Sequence, residues 1–195
     1  PFFFTAGAAL PVSVLKELYT DCLYWKPISE LFLHDNASLF QDFGVLPQED
    51  RDNFDYLYTR LSLSTLSGKQ LHKKKNHVNG FLNNYPNFSL KKLDADTRKD
   101  AHNILEYWAA EQHNALETDY QAALLALALP ESEDFIGALL YVDHTPVAWC
   151  LAELTAQGTV AVIHFEKART DFRGSYQYIN YAFAKALPEQ VVYIN

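Results

Sequence analysis

His164 and Glu166 lie two residues apart in Thr159–Glu166, a run that reads as a β-strand. Alternation places Val160, Val162, His164 and Glu166 on one face and Ala161, Ile163 and Phe165 on the other, so the imidazole and the carboxylate are expected to point the same way. A carboxylate is costly against a core, so that face should open onto a cleft near the strand's end. There, Glu166 or His164 can take a proton from an attacking group or hold an ammonium. Lys167, Arg169 and Arg173 follow directly, then Gly174 and Ser175 open a helix. Free backbone N–H groups at a helix start favour an anion, and the nearby cations are expected to keep Glu166 ionised. The structural alternative is that Glu166 pairs with Lys167 or Arg169 and the loop only turns the chain.

A second stretch, Leu66–Phe81, is cationic. On a helix over Leu66–Tyr85 with Ser67 as N-cap, Leu71, Val78, Phe81, Leu82 and Tyr85 share an apolar stripe. Lys69, His72, Lys73, Asn76 and Asn79 gather on the opposite face, with Lys75 at its edge. Lys74 falls inside the apolar stripe, where it must snorkel or find a partner. The polar face is either a ligand contact or simply a solvated surface.

Charge sharpens that choice. The protein carries a net charge of −8, yet residues 69–99 hold eight of its sixteen Lys and Arg against two acids, Asp94 and Asp96. An acidic protein with one basic patch is a poor general DNA binder, but it can hold one defined anion, such as a phosphate chain or a tRNA end. Other chemistries find no support. His72 and His77 point ~140° apart on a helix and cannot share a metal. His34, His102, His113 and His144 form no ligand spacing, and no phosphate-binding loop, dinucleotide fingerprint or nucleophile elbow is present. The metal expectation is therefore none.

With 49% hydrophobic residues, the 195-residue chain can fill a real core. Two cysteines, Cys22 and Cys150, make no disulfide framework, which favours a cytoplasmic setting; Cys150, in an apolar run, reads as a packed thiol. The longest apolar run, Ala122–Leu129, is far too short to cross a bilayer, and Pro-Phe-Phe-Phe at the start is no signal peptide. Methionine is absent throughout, so the chain reads either as an internal fragment or as a sequence from which methionine has been lost, and its ends are not expected to mark the natural termini.

The elements that must position these groups read in order from Phe88. A short strand spans Phe88–Leu93, and Asp94 or Asp96 caps a helix with the stripe Ala101, Ile104, Leu105, Trp108 and Ala109. Thr118–Gln121 opens a second helix that stops at Pro130. Strands over Phe135–Val142 and Pro146–Leu154 flank a hairpin at Asp143–Thr145, and Gly158 turns the chain into Thr159–Glu166. A helix over Ser175–Leu187 and a strand over Val191–Ile194 follow. Before residue 50, the pattern is strand Phe2–Phe4, loop Ala6–Ala8, helix Pro11–Tyr19, strand Ile28–Leu33, and helix Asn36–Phe43 capped by Gly44.

Taken together, Leu66-Ser-Gly-Lys…His-Lys-Lys…Asn…Phe81 and His164–Asn180 resemble the soluble bacterial relatives of the C-terminal domain of phosphatidylglycerol lysyltransferase. The resemblance covers most of residues 48–195. It implies an α/β (mixed α+β) fold of the GNAT acyltransferase type, in tandem copies. Residues 1–50 would be the tail of a first copy, and 56–195 a second copy lacking its last helix and two strands. It further implies an acyl or aminoacyl transferase with aminoacyl-tRNA or acyl-CoA as co-substrate, and the acceptor end of tRNA and a small-molecule acceptor as partners. Ser175, Tyr176 and Gln177 stand where CoA-dependent enzymes carry further glycines, which favours the tRNA-borne donor. Lys75 and Gly80 stand where relatives carry Arg, leaving a point charge instead of a bidentate fork. The competing expectation is a non-catalytic module of the same shape that binds a small anionic metabolite or a protein.

Overall fold

The structure, a computed structural model, describes residues 2–3, 10–26, 28–129 and 134–195. The chain divides into two compact units, Pro1–Phe54 and Asp55–Asn195.

In the first unit, strand β1 (Phe2–Phe3) pairs in parallel with β2 (Tyr24–Trp25), and helix α1 (Val12–Asp21) connects them. Helices α2 (Glu30–Asp35) and α3 (Ala37–Phe43) follow. Leu15, Trp25 and Phe40 form the buried centre, with the Trp25 and Phe40 rings stacked at 5.5 Å. Ile28–Leu33, expected as a strand, is instead largely helical. Ser29 Oγ accepts the Phe32 N–H at 3.2 Å and so caps a helix start that period-2 reading cannot see. Gly44 closes α3 in the left-handed region at φ 74°, as expected. Phe4, the Ala6–Ala8 loop and Pro130 lie outside the described residues.

The second unit begins with strand β3 (Tyr58–Thr59) and helix α4 (Arg60–Thr65), neither expected. Arg-Leu-Ser-Leu-Ser-Thr alternates like a strand, but Thr59 Oγ1 accepts the Ser62 N–H at 3.1 Å and starts a helix. Leu66 ends α4 at φ 50°, and Gly68 follows at φ 91°. The cationic helix therefore does not run from Leu66 with Ser67 as its cap. A 3-10 turn at Lys69–Leu71 leads into α5 (His72–Asn84). Val78 and Phe81 bury one side of α5, whereas Leu82, assigned to the same stripe, is exposed.

Strand β4 (Phe88–Lys92), helices α6 (Arg98–Ala110) and α7 (Tyr120–Ala128), strands β5 (Phe135–Val142), β6 (Thr145–Thr155) and β7 (Val160–Ala168), helix α8 (Ser175–Ala186) and strand β8 (Tyr193–Ile194) complete the unit in the expected order. Asp94 Oδ1 accepts the Asp96 and Thr97 N–H groups just before α6, and Asp143 and His144 both take positive φ in the two-residue β5–β6 turn. Among the described residues, these strands form a six-stranded sheet in the order β3-β8-β7-β6-β5-β4, mixed because β7 and β8 run parallel.

Helices cover both faces. Leu63, Val78, Phe81, Ile179 and Phe183 pack one side, from α4, α5 and α8, while Ile104, Leu105, Trp149 and Leu127 pack the other, from α6, β6 and α7. Among the described residues, no helix is long and apolar enough to cross a membrane.

Candidate active site

The β7 strand does not keep simple alternation. Leu151 opposes Phe165 and Ala152 opposes Ile163, so His164 is an extra residue in the ladder. Ile163 before the bulge and Ala168 after it both face the α5/α8 side, as does Glu166 through its contact with Asn180 of α8. His164 instead lies exposed beside Glu153 Oε2 at 2.9 Å, with its ring 6.3 Å from that of Phe135. The expected His164–Glu166 pair is therefore not formed; one inserted residue sends the two side chains to opposite faces.

Lys167 is also drawn away from any anion site. Its ammonium is buried on the α6/α7 side, 2.6 Å from Asp119 and 3.6 Å over the Trp108 ring. Arg169 makes two bonds to Asp171, at 3.1 and 2.8 Å, and stacks over Tyr107 at 4.5 Å. Thr170 donates to Glu111 at 2.6 Å, tying the loop to the end of α6. Glu166 thus pairs with neither of the cations that the structural alternative named.

The loop nonetheless builds a recess of about 250 Å³ at the start of α8, bounded by His77 of α5, Arg169, Arg173, Gly174 and Ser175. Gly174 sits at φ 90°, and a Cβ there would lie 2.8 Å from the His77 carbonyl oxygen. Glycine is required both by that conformation and by the close approach of the two helices. Ser175 Oγ donates to the Arg169 carbonyl and fixes the turn. Arg173 is exposed and makes no bond among the described residues. Tyr176 forms part of the wall, and its half-buried phenol is pushed up chiefly by burial, while the Ala168 N–H bonded to it opposes the shift.

A second polar feature lies between α5, α8 and β7. Lys74 Nζ donates to Asn180 Oδ1 at 2.9 Å, and Asn180 Nδ2 donates to Glu166 Oε2 at 3.0 Å. Burial pushes the Glu166 carboxyl above its ordinary range, opposed by the Asn180 bond and the Lys74 charge. Of the cations expected to stabilise its charge, Lys167 and Arg169 have other partners, and desolvation outweighs the charge of Lys74. Burial likewise lowers Lys74, opposed by Glu166. Cys150 is fully buried with its thiol pushed well up, an inert core group.

Lys69, His72, Lys73, Lys75, Asn76 and Asn79 are all exposed, and their side chains make no bond among the described residues. None of them borders the recess; the α5 residue that does is His77, which sequence reasoning placed in no site. Sequence reasoning also left Lys74 and Asn180 out of the site. Their signal was present in each case: a polar side chain at an inward position of an amphipathic helix.

A family model described as "Phosphatidylglycerol lysyltransferase, C-terminal" matches residues 13–195. A conserved protein of unknown function from Bacteroides thetaiotaomicron is 28% identical with a TM-score of 0.80, covering all of this chain and 69% of that one. The C-terminal domain of a candidate lysylphosphatidylglycerol synthetase from Agrobacterium fabrum is similar at TM-score 0.60 and 15% identity, and L-PGS from Bacillus licheniformis at 0.53 and 13%. Each of those two comparisons covers 94% of this chain and 56% of the other, and each speaks to fold alone. The mixed six-stranded sheet with helices on both faces is the GNAT-like fold of these domains. An uncharacterized protein of Mycoplasmoides gallisepticum is 26% identical over 132 residues; the match spans 64% of this chain and 41% of that protein's length.

Proposed function

The chain belongs to the family of the phosphatidylglycerol lysyltransferase C-terminal domain, and from that premise we propose that it transfers an aminoacyl group from aminoacyl-tRNA to an amine or hydroxyl acceptor. The observation that carries this reading is the Glu166 carboxylate, half-buried between β7 and α8 with one oxygen bonded to Asn180 and the other without a partner among the described residues. A base in that setting can take the acceptor's proton as it attacks the ester carbonyl, or can hold an acceptor ammonium. The recess at the start of α8 supplies Arg173, Ser175 and His77 beside a helix N-terminus, a setting suited to a phosphate of the donor. The exposed Lys69, His72, Lys73, Lys75, Asn76 and Asn79 of the α5 region form a surface for the nucleic-acid backbone, with Lys73 and Lys75 as point charges. Tyr176 crowds the loop where a CoA pyrophosphate would need close backbone approach, which favours the tRNA-borne donor over acyl-CoA. Free thiols at Cys22 and Cys150 suit a reducing cytoplasm.

The test is transfer of a labelled amino acid from aminoacyl-tRNA by the full-length protein, run beside a panel of acyl-CoA donors and a range of acceptors. Transfer from aminoacyl-tRNA alone supports the reading, transfer from CoA alone replaces the donor, and no transfer from either removes the enzymatic reading. A second reading, a non-catalytic module for a small anionic metabolite, is favoured by the engagement of Arg169 with Asp171 and of Lys167 with Asp119. It predicts anion binding at Arg173 without turnover.

A further inference from the structure

Three lysines stand in a row on α5, and the middle one differs from its neighbours. Lys73 and Lys75 are exposed, whereas Lys74 is partly buried, with its ammonium 5.6 Å from the Tyr58 ring. One of its three N–H groups goes to Asn180, and no bond among the described residues takes the other two. Asn180 offers its carbonyl oxygen to Lys74 and its amide N–H to Glu166, and these two partners fix the amide's orientation. The bridging amide also keeps the ammonium and the carboxylate from forming a direct ion pair, leaving one free acceptor on Glu166 and spare donors on Lys74. An acid and a base held one side chain apart match what cleavage of an ester requires.

We propose that Lys74 is the proton donor to the leaving alcohol, acting opposite Glu166 across Asn180. The inference rests on the transferase reading above. The acceptor's nucleophilic atom bonds to the ester carbonyl carbon, and its proton passes to Glu166 Oε1. When the tetrahedral intermediate collapses, the bond from carbon to the alcohol oxygen breaks, and that oxygen takes a proton from the Lys74 ammonium. Glu166 is left protonated and Lys74 neutral, and one proton returned through solvent restores both. Burial makes Lys74 a readier donor than a hydrated surface lysine, and the Glu166 charge keeps it from losing its proton too soon. An exposed ammonium such as that of Lys73 or Lys75 has no fixed direction, because no bond among the described residues holds it.

The decisive measurement compares two donors that carry the same amino acid. In aminoacyl-tRNA the leaving group is a basic alkoxide that needs a proton; in an aminoacyl 4-nitrophenyl ester it leaves without one. With the full-length protein, Lys74→Met is expected to cut transfer from aminoacyl-tRNA by about 10²-fold and to leave transfer from the nitrophenyl ester little changed. Lys74→Arg keeps the charge and the bond to Asn180 but holds its proton too tightly, so it should show the same split even if the Met variant folds poorly. Equal losses with both donors, or full activity with aminoacyl-tRNA, overturn the role of Lys74. A wild-type protein inert with both donors overturns the transferase reading and this inference together.

Discussion

Two parts of α5 carry similar residues to opposite ends. On its outer surface, the side chains of Lys73, Lys75, Asn76 and Asn79 are exposed and unbonded among the described residues, while one residue away Lys74 turns inward to Asn180 and, through it, to Glu166. Cation density marks the first group, and it is what makes the stretch conspicuous as sequence. Burial and fixed partners mark the second, and these shift proton affinities. The difference teaches that a basic run shows where a polyanion can be attracted, and only an inward-facing member of it shows where protons can be moved.

The sharpest way to break this comparison is Glu166→Gln. Transfer activity is expected to fall about 10²-fold, since shape and the Asn180 bond survive while the base is lost. Stability should move the other way. Because burial raises the folded-state carboxyl, the stability contributed by its protonated form is present below the unfolded value of about 4.3 and is lost as pH rises through the raised one. Glutamine cannot ionise, so the variant should gain on wild type in melting temperature as pH rises from about 4 toward neutrality. A variant that loses stability on that path would show that Glu166 is held as an ion by its partners.

Next in size is Gly174→Ala. The residue would have to hold φ 90° and place its Cβ 2.8 Å from the His77 carbonyl oxygen, so unfolding free energy should drop by about 2 kcal/mol. Denaturant titration measures this, and an unchanged midpoint would mean that α5 and α8 are free to move apart. The smallest effect is expected from the outer face. Lys73→Ala with Lys75→Ala should weaken retention on tRNA or heparin and flatten the logarithmic salt slope by about 0.7–0.9 per lost contact. Melting temperature should hardly change, because both side chains are exposed. Unaltered retention would leave this face as a merely solvated surface.

Elements built on strong local signals were legible from the residues. Phe135–Val142 matches β5 residue for residue, the Asp143–His144 turn sits where the hairpin was expected, and α3 ends at Gly44. Elements defined by side-chain caps were not. Ile28–Leu33 and Arg60–Thr65 carry strand-like residues, yet Ser29 and Thr59 each satisfy a first-turn N–H and fold them as helix. For the site, Arg173, Gly174 and Ser175 do gather beside the start of α8, and Lys74 does find a partner instead of snorkelling. The grouping of His164 with Glu166 failed, as did the assignment of Lys167 to an anion.

By itself, then, the sequence determined the order of the elements from Phe88 onward and the strand–loop–helix that carries Glu166 and Gly174, because period and turn residues are local properties of the chain, and the resemblance of its two motif stretches pointed to the family. Tertiary structure alone decided which polar groups meet. The bulge at His164 depends on how β6 pairs with β7, and it reverses the facing of every residue before it relative to those after. Lys74 and Asn180 are 106 residues apart and meet where α8 closes against α5, an approach that Gly174 permits beside the His77 carbonyl. Proton affinity depends on desolvation and on partners brought from distant elements, so no local pattern could show that burial raises the Glu166 carboxyl and lowers Lys74.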